Sequence, residues 1–179
     1  MMSEEKTKIL VVSDNHGDHK ILDKLIAKYD GVVDAMFHCG DSELEPDDKI
    51  FEHFAVVTGN CDYDPEFAEY LVQDINGTRV LLTHGHLLGV NLGLARLSLF
   101  AQEKQAQIAL FGHTHRLGVE YINGCLYLNP GSISFPRGKY SQLGGTYAII
   151  GITPAQFEVS YYNRAFEKVP ELQFVFTRN

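Results

Sequence analysis

Seven side chains able to bind a metal ion fall in five short blocks of the chain: Asp14 and His16, Asp41, Asn60, His84, and His113 with His115. Each block follows a run that reads as a β-strand, and most stand beside a glycine that lets the backbone turn sharply. In open α/β sheets, ligand sites form outside the carboxyl ends of the strands. Two aspartates, one asparagine and four histidines are more than one tetrahedral ion can use. They suit two divalent ions that share one carboxylate. Imidazole and carboxylate without thiolate favour Mn, Fe, Zn, Co or Ni over Ca or Mg, and Mn is the first expectation. Two such ions, about 3.5–4 Å apart, lower the pKa of a bridging water towards about 7 and clamp both oxygens of an in-line displacement. A single Asp-x-His is common by chance. The ordered set is not.

The elements that must carry these blocks alternate strand and helix in the first half. Lys8–Ser13 (KILVVS) is a buried-strand run, and 18–29 places Ile21, Leu22, Leu25, Ile26 and Tyr29 on one helical stripe. Strands follow at 35–39 and 55–58, with a short helix from Pro46 to Phe54 between them. The second half is largely antiparallel. Asn76-Gly77 and Asn123-Gly124 suit tight hairpin turns, joining 70–75 to 78–83 and 119–122 to 125–128. The spacing predicts a helix over 91–104 with Leu92, Ala95 and Leu99 inward, and strands at 107–111, 146–152, 156–162 and 172–177. The fold class expected is α/β: a sandwich of two mixed β-sheets flanked by helices. The expected organisation is one domain over 1–179, with residues 1–7 a short polar tail.

Composition narrows the field. The chain has 179 residues, 45% hydrophobic and 21% charged, enough for a sizeable core. Three cysteines with no CxxC pair argue against a disulfide framework. No apolar leader and no membrane span are legible, so the expectation is a soluble cytoplasmic protein. Lys+Arg is 15 against Asp+Glu 23, a net charge of −8. That excludes a long nucleic-acid track, which depends on many Lys/Arg–phosphate contacts. It does not exclude a small phosphate ester. Two divalent ions, less two carboxylates and a hydroxide, leave about +1 where such a substrate would bind.

With these residues in view, the sequence resembles the calcineurin-like metallophosphoesterase superfamily. The blocks are Asp14-Asn15-His16, Gly40-Asp41, Gly59-Asn60-Cys61-Asp62, Thr83-His84-Gly85-His86 and Gly112-His113-Thr114-His115. Asn129-Pro130-Gly131-Ser132 and Pro136-Arg137 are similar to a loop of the small bacterial and archaeal phosphodiesterases of the YfcE type. The resemblance implies that Asp14, His16, Asp41 and His115 hold one metal. It implies that Asp41, Asn60, His84 and His113 hold the other, with Asp41 bridging. It further implies hydrolysis of a small phosphodiester by a metal-bridging hydroxide.

Where many members carry a histidine after the asparagine of the third block, this chain has Cys61. A thiol is a weak donor, so the expectation is slow turnover and a preference for leaving groups that need no proton, unless Asp62 or His86 substitutes. Asn60, Cys61 and His86 are the candidate catalytic residues. Ser42-Glu43-Leu44 after Asp41 departs from the protein Ser/Thr phosphatases and demotes that reading. Alternatives are a phosphomonoesterase, a nucleotide pyrophosphatase, or a protein-interaction scaffold like the retromer subunit that shares the fold. His38 reads as a core or supporting residue, and His19 and His53 as solvated. Tyr161-Tyr162 reads as edge-strand packing, with a contact in a homo-oligomer as the alternative.

Overall fold

Strand β1 (Thr7–Val12) occupies a central position because Ile9, Leu10, Val11 and Val12 are all buried. A strand buried on both faces needs a layer on each side. Alternation sends Ile9 and Val11 into the core between two sheets, while Leu10 and Val12 pack under helix α1 (His19–Tyr29). The computed structural model describes residues 5–179. Residues 1–4 of the expected polar tail lie outside them, and Thr7 already pairs with Ile152.

The first sheet runs in the order β11 (Lys168–Thr177), β10 (Gln156–Asn163), β9 (Thr146–Ile152), β1, β2 (Ala35–His38) and β3 (Phe54–Val56). Strands β1 to β3 are parallel, and β9 to β11 are antiparallel. The second sheet runs β4 (Tyr70–Ile75), β5 (Thr78–Thr83), β6 (Ile108–Leu110), β8 (Cys125–Asn129) and β7 (Gly118–Ile122). Its three inner strands are parallel and its two edge strands antiparallel. Phe37, Val80, Leu82, Leu110, Leu126 and Leu128 join Ile9 and Val11 between the sheets. Helix α2 (Ala95–Glu103) covers the outer face of the second sheet. This is the expected sandwich of two mixed sheets flanked by helices. Among the described residues, no helix is long and apolar enough to cross a membrane.

Three expectations fail. Pro46 does not open a helix: only one 3-10 turn forms, at Lys49–Glu52, where the Asp48 carboxylate accepts from Ile50 N at 3.0 Å. The helix expected over 91–104 starts late, because Val90–Leu92 is a 3-10 turn and Gly93 after it adopts φ of +130°. The α-helix then starts at Ala95, which is itself exposed, and its buried face changes. Leu92 and Leu99 are 96% and 67% exposed, and Leu97 and Ala101 are buried instead. Finally, β10 is not an edge strand. Tyr161 is wholly buried, and its hydroxyl reaches the carbonyls of Gly118 and Asn129 at 2.9 and 2.8 Å in the opposite sheet.

That buried hydroxyl ties the two sheets together. Tyr161→Phe is expected to lower stability by about 1–3 kcal/mol. The measurement is urea unfolding, with the midpoint falling at an unchanged slope.

Candidate metal centre

Past the carboxyl ends of β1, β2 and β6, the chain makes the same unusual turn three times. Asp14 and His16, Asp41 and Glu43, and His113 and His115 have φ of +55° and +44°, +55° and +54°, and +70° and +59°. A non-glycine residue held in this left-handed region carries about 1–3 kcal/mol of strain, and such residues cluster at functional sites. The alternation turns every second side chain towards one point at the top of the sandwich.

Backbone hydrogen bonds hold the turns in place. Asp14 N donates to Gly40 O at 3.1 Å, His16 N to Asp41 O at 3.1 Å, and Gly17 N to Ser42 O at 2.9 Å, extending the β1–β2 pairing beyond the strands. In the second sheet, Gly112 N donates to His84 O at 3.0 Å. Two carboxylates then link distant blocks. Asp14 Oδ2 accepts from His113 N at 3.2 Å and from the Ser13 hydroxyl, and Asp41 Oδ1 accepts from Cys61 N at 2.8 Å. Asp62 braces two loops, accepting from Asp41 N at 2.7 Å, Gly59 N at 2.7 Å and Glu43 N at 2.9 Å.

The histidines each turn one nitrogen outward. His84 Nδ1 donates to Cys39 O at 2.7 Å and His115 Nδ1 to Phe135 O at 2.8 Å. His16 Nδ1 lies 2.7 Å from Glu43 Oε1, and His113 Nε2 lies 2.9 Å from the Asn91 amide nitrogen Nδ2. Because carbonyls and carboxylates only accept, the outward nitrogens of His16, His84 and His115 carry the protons, and in the neutral rings their inward nitrogens are bare lone pairs.

The inward atoms therefore face one another as acceptors. His16 Nε2 and His115 Nε2 are 3.1 Å apart. His84 Nε2 is 3.4 Å from Asp41 Oδ2 and 3.0 Å from Asn60 Oδ1, which is also 2.9 Å from His113 Nδ1. Asp14 Oδ1 is buried without a hydrogen-bond partner, 3.2 Å from His115 Nε2 and 3.7 Å from His16 Nε2. Lone pairs collected without donors are what a cation resolves, and imidazole with carboxylate fits a divalent transition ion. Burial opposes the charge on Asp14, but His115, His84 and Ser13 outweigh it and hold this carboxyl below its usual range. Asp41 is held low in the same way, mainly by His84.

All seven candidate ligands thus come to one place. Asp14, His16 and His115 form one close cluster, and Asp14, Asp41 and His84 another. A third holds Cys61 Sγ with His16 and Asp41, so the thiol is closer to the candidate ligands than the motif alone implies. Burial and the nearby Asp41 charge push that thiol up to about 11. His86 stands beside them, its ring 5.2 Å from that of His84 and its buried Nδ1 without a partner. Asp62 does not fill the place of a proton donor. Its oxygens are taken by three main-chain N–H groups.

Other residues prove supporting. His38 Nδ1 accepts from Gly40 N at 3.0 Å, so Nε2 donates to Asn15 Oδ1 at 2.8 Å, and burial pushes its pKa down to about 4. Asn129 Nδ2 donates to Gly112 O and Thr114 Oγ1, both at 3.0 Å, shaping the Gly112–His115 turn. Glu43 repeats the two-residue spacing of Asp14 and His16, a signal legible in the sequence but not read from it. Asn91 carries no such signal.

The pattern of the calcineurin-like phosphoesterase superfamily domain matches residues 7–154. The chain belongs to this superfamily. A probable metallophosphoesterase of Bacillus subtilis, YsnB, is 37% identical over 165 residues, spanning 92% of this chain and 96% of that protein. The crystal structure of a predicted phosphoesterase from Streptococcus pneumoniae matches with TM-score 0.93 at 40% identity, covering 98% of this chain and 100% of that one. Phosphodiesterase YfcE of Escherichia coli is 33% identical over 90 residues, 46% of this chain and 45% of that protein. Its structure shares the fold, at TM-score 0.65 and 20% identity over 97% of this chain and 100% of that one. As a calcineurin-like phosphoesterase, the chain is a metal-dependent phosphoesterase, and the family implies divalent metal ions.

Glycines in these blocks admit the carboxylates. A Cβ at Gly59 would overlap the Asp41 carboxylate and its N–H. Gly59→Ala is therefore expected to displace Asp41 and reduce phosphoesterase turnover by about 10²-fold, the scale of a 1 Å misplacement. Steady-state rates on a chromogenic ester, with calorimetric titration of Mn, check it.

Proposed function

We propose that the chain hydrolyses small phosphodiesters at a centre of two divalent ions, Mn first among the candidates. Asp14, His16, Asp41 and His115 would hold one ion, and Asp41, Asn60, His84 and His113 the other. The observation that carries this reading is the set of inward lone pairs of His16, His84 and His115 around the unpartnered Asp14 oxygen, spread over two clusters that share Asp14, the second of which adds Asp41. In this reading residues 1–179 form one metallophosphoesterase domain, supported by the family match over 7–154. When bound, the ions supply Lewis acidity towards phosphoryl oxygens and lower the pKa of water.

The chain's own part is to orient and to limit. The two aspartates each keep one oxygen on backbone N–H groups, so the other stays aimed at the centre. His16, His84 and His115 are held as lone-pair donors and not as bases. Asn60 Oδ1 sits between His84 and His113 and leaves its amide free to turn to Cys61 Sγ at 3.5 Å. The Cys61 thiol is a poor proton donor to a departing oxygen, which supports slow turnover on esters with poor leaving groups. His86 is the remaining candidate for that role. The diester preference draws on the YfcE relative. Retention of all seven donors weighs against a scaffold, and the small cationic centre in an acidic chain supports a small substrate in place of a nucleic-acid track.

The deciding experiment is metal analysis with assays on chromogenic mono- and diesters, with and without Mn. Expected are bound transition metal, Mn-stimulated diester hydrolysis and loss of activity on chelation. Faster hydrolysis of monoesters would overturn the diester assignment, and no hydrolysis of either class would leave the scaffold reading. Cys61→His is expected to raise the rate on esters with poor leaving groups by about 10²-fold, the lower range for a positioned proton donor, and to leave activated aryl esters little changed. A rate unchanged on both would refute the role given to the missing imidazole.

A further inference from the structure

Two of the four histidines take their outward partner from the main chain: Cys39 O for His84 and Phe135 O for His115. The other two rely on side chains that lie outside the ligand blocks. His16 Nδ1 meets Glu43 Oε1, and His113 Nε2 meets the Asn91 amide. These two rings also face the centre with different atoms, Nε2 for His16 and Nδ1 for His113. Such a pair cannot be set by one common backbone geometry. Each ring needs its own partner to select the nitrogen that keeps the proton.

We propose that Glu43 and Asn91 are positioning residues that fix the tautomer and ring orientation of His16 and His113, so that Nε2 of the first and Nδ1 of the second present lone pairs to the metal centre. This rests on the metal centre proposed above and deepens it.

An ionised Glu43 can only accept, so the proton of a neutral His16 goes to Nδ1. The carboxylate is well placed to do this because its own backbone is held. Glu43 lies at φ +54°, and its N–H donates to the Asp62 carboxylate that also braces Asp41. A carboxylate behind a ligating imidazole also raises its donor strength. Asn91 can do either task, since its amide offers an acceptor and a donor. The structure sets its amide nitrogen Nδ2 against Nε2; turned over by 180°, the amide oxygen accepts from Nε2–H and leaves Nδ1 bare, and that turn is part of the proposal. Asn91 is delivered by the 3-10 turn Val90–Leu92 between Gly89 and Gly93. Val90 anchors the turn in the core beneath α2 and packs where any side chain at Gly85 would stand.

The test reads the rings before any metal is added. Metal-free protein labelled with 15N-histidine, at a pH above the imidazole range, is expected to show the proton on Nδ1 of His16 and on Nε2 of His113. Glu43→Ala shifts the His16 tautomer and leaves His113 unchanged; Asn91→Ala does the reverse. Calorimetric titration with Mn alone is expected to show affinity about 10–100-fold weaker in each variant. Glu43→Gln and Asn91→Asp, which can still accept from the ring N–H, are expected to restore the tautomers. A merely structural role would lower the melting temperature and leave both tautomers as in the wild type, which would overturn the proposal. So would Mn affinity unchanged in both alanine variants. Wild-type protein that takes up no Mn would overturn the metal centre itself, and the tautomer result separates that failure from a failure of Glu43 and Asn91.

Discussion

Everything at the top of the sandwich depends on carboxylate oxygens bound to backbone N–H groups from other strands. Asp14 has one oxygen engaged by His113 N and Ser13 and the other bare; Asp41 has one engaged by Cys61 N and the other turned to His84. Asp62 uses both of its oxygens in this way and presents neither to the centre. A bond to a charged acceptor contributes about 1.5–3 kcal/mol, and it also fixes direction. The same contacts that assemble the loops decide which lone pairs remain unused. Folding and ligand presentation are one event here.

The arrangement carries strain. Five of the seven candidate ligands have positive φ, at about 1–3 kcal/mol each, against a net stability for typical domains of about 5–15 kcal/mol. Strain on that scale persists only if the surroundings allow no other conformation. The two strand runs that lead into the tightest turns are buried throughout, Ile9–Val12 on one side and Ile108–Leu110 on the other. Neither can slip without exposing its core face. The sheets act as the rigid base, and the turns at their ends bend because the strands cannot.

Electrostatics gives the centre its chemical direction. Carboxylates gathered at one point repel one another, and histidines and N–H groups only partly answer them. Divalent cations, which the family implies, would complete the balance. In the proposed reading they leave a small cationic centre within a chain of net charge −8. Burial, with the nearby Asp41 charge, keeps the Cys61 thiol protonated, and a thiol is a weak donor.

By itself the sequence determined the strand runs, the Asn-Gly hairpins, the two-sheet sandwich and the seven candidate ligands. All of these rest on short-range signals: burial alternation, turn chemistry and donor types a few residues apart. Tertiary structure decided the rest. Leu92 and Leu99 turned outward because the turn ending at Gly93 resets the start and the buried face of the helix, and Tyr161 proved internal because strand order is a property of long-range pairing. Asp62 became a brace because N–H groups of the distant Asp41–Glu43 loop meet its carboxylate beside that of Gly59 in its own loop. The partners of His16 and His113 likewise come from 27 and 22 residues away. No local pattern encodes which ring nitrogen faces inward, because that is set by whichever group the completed fold brings to the other one.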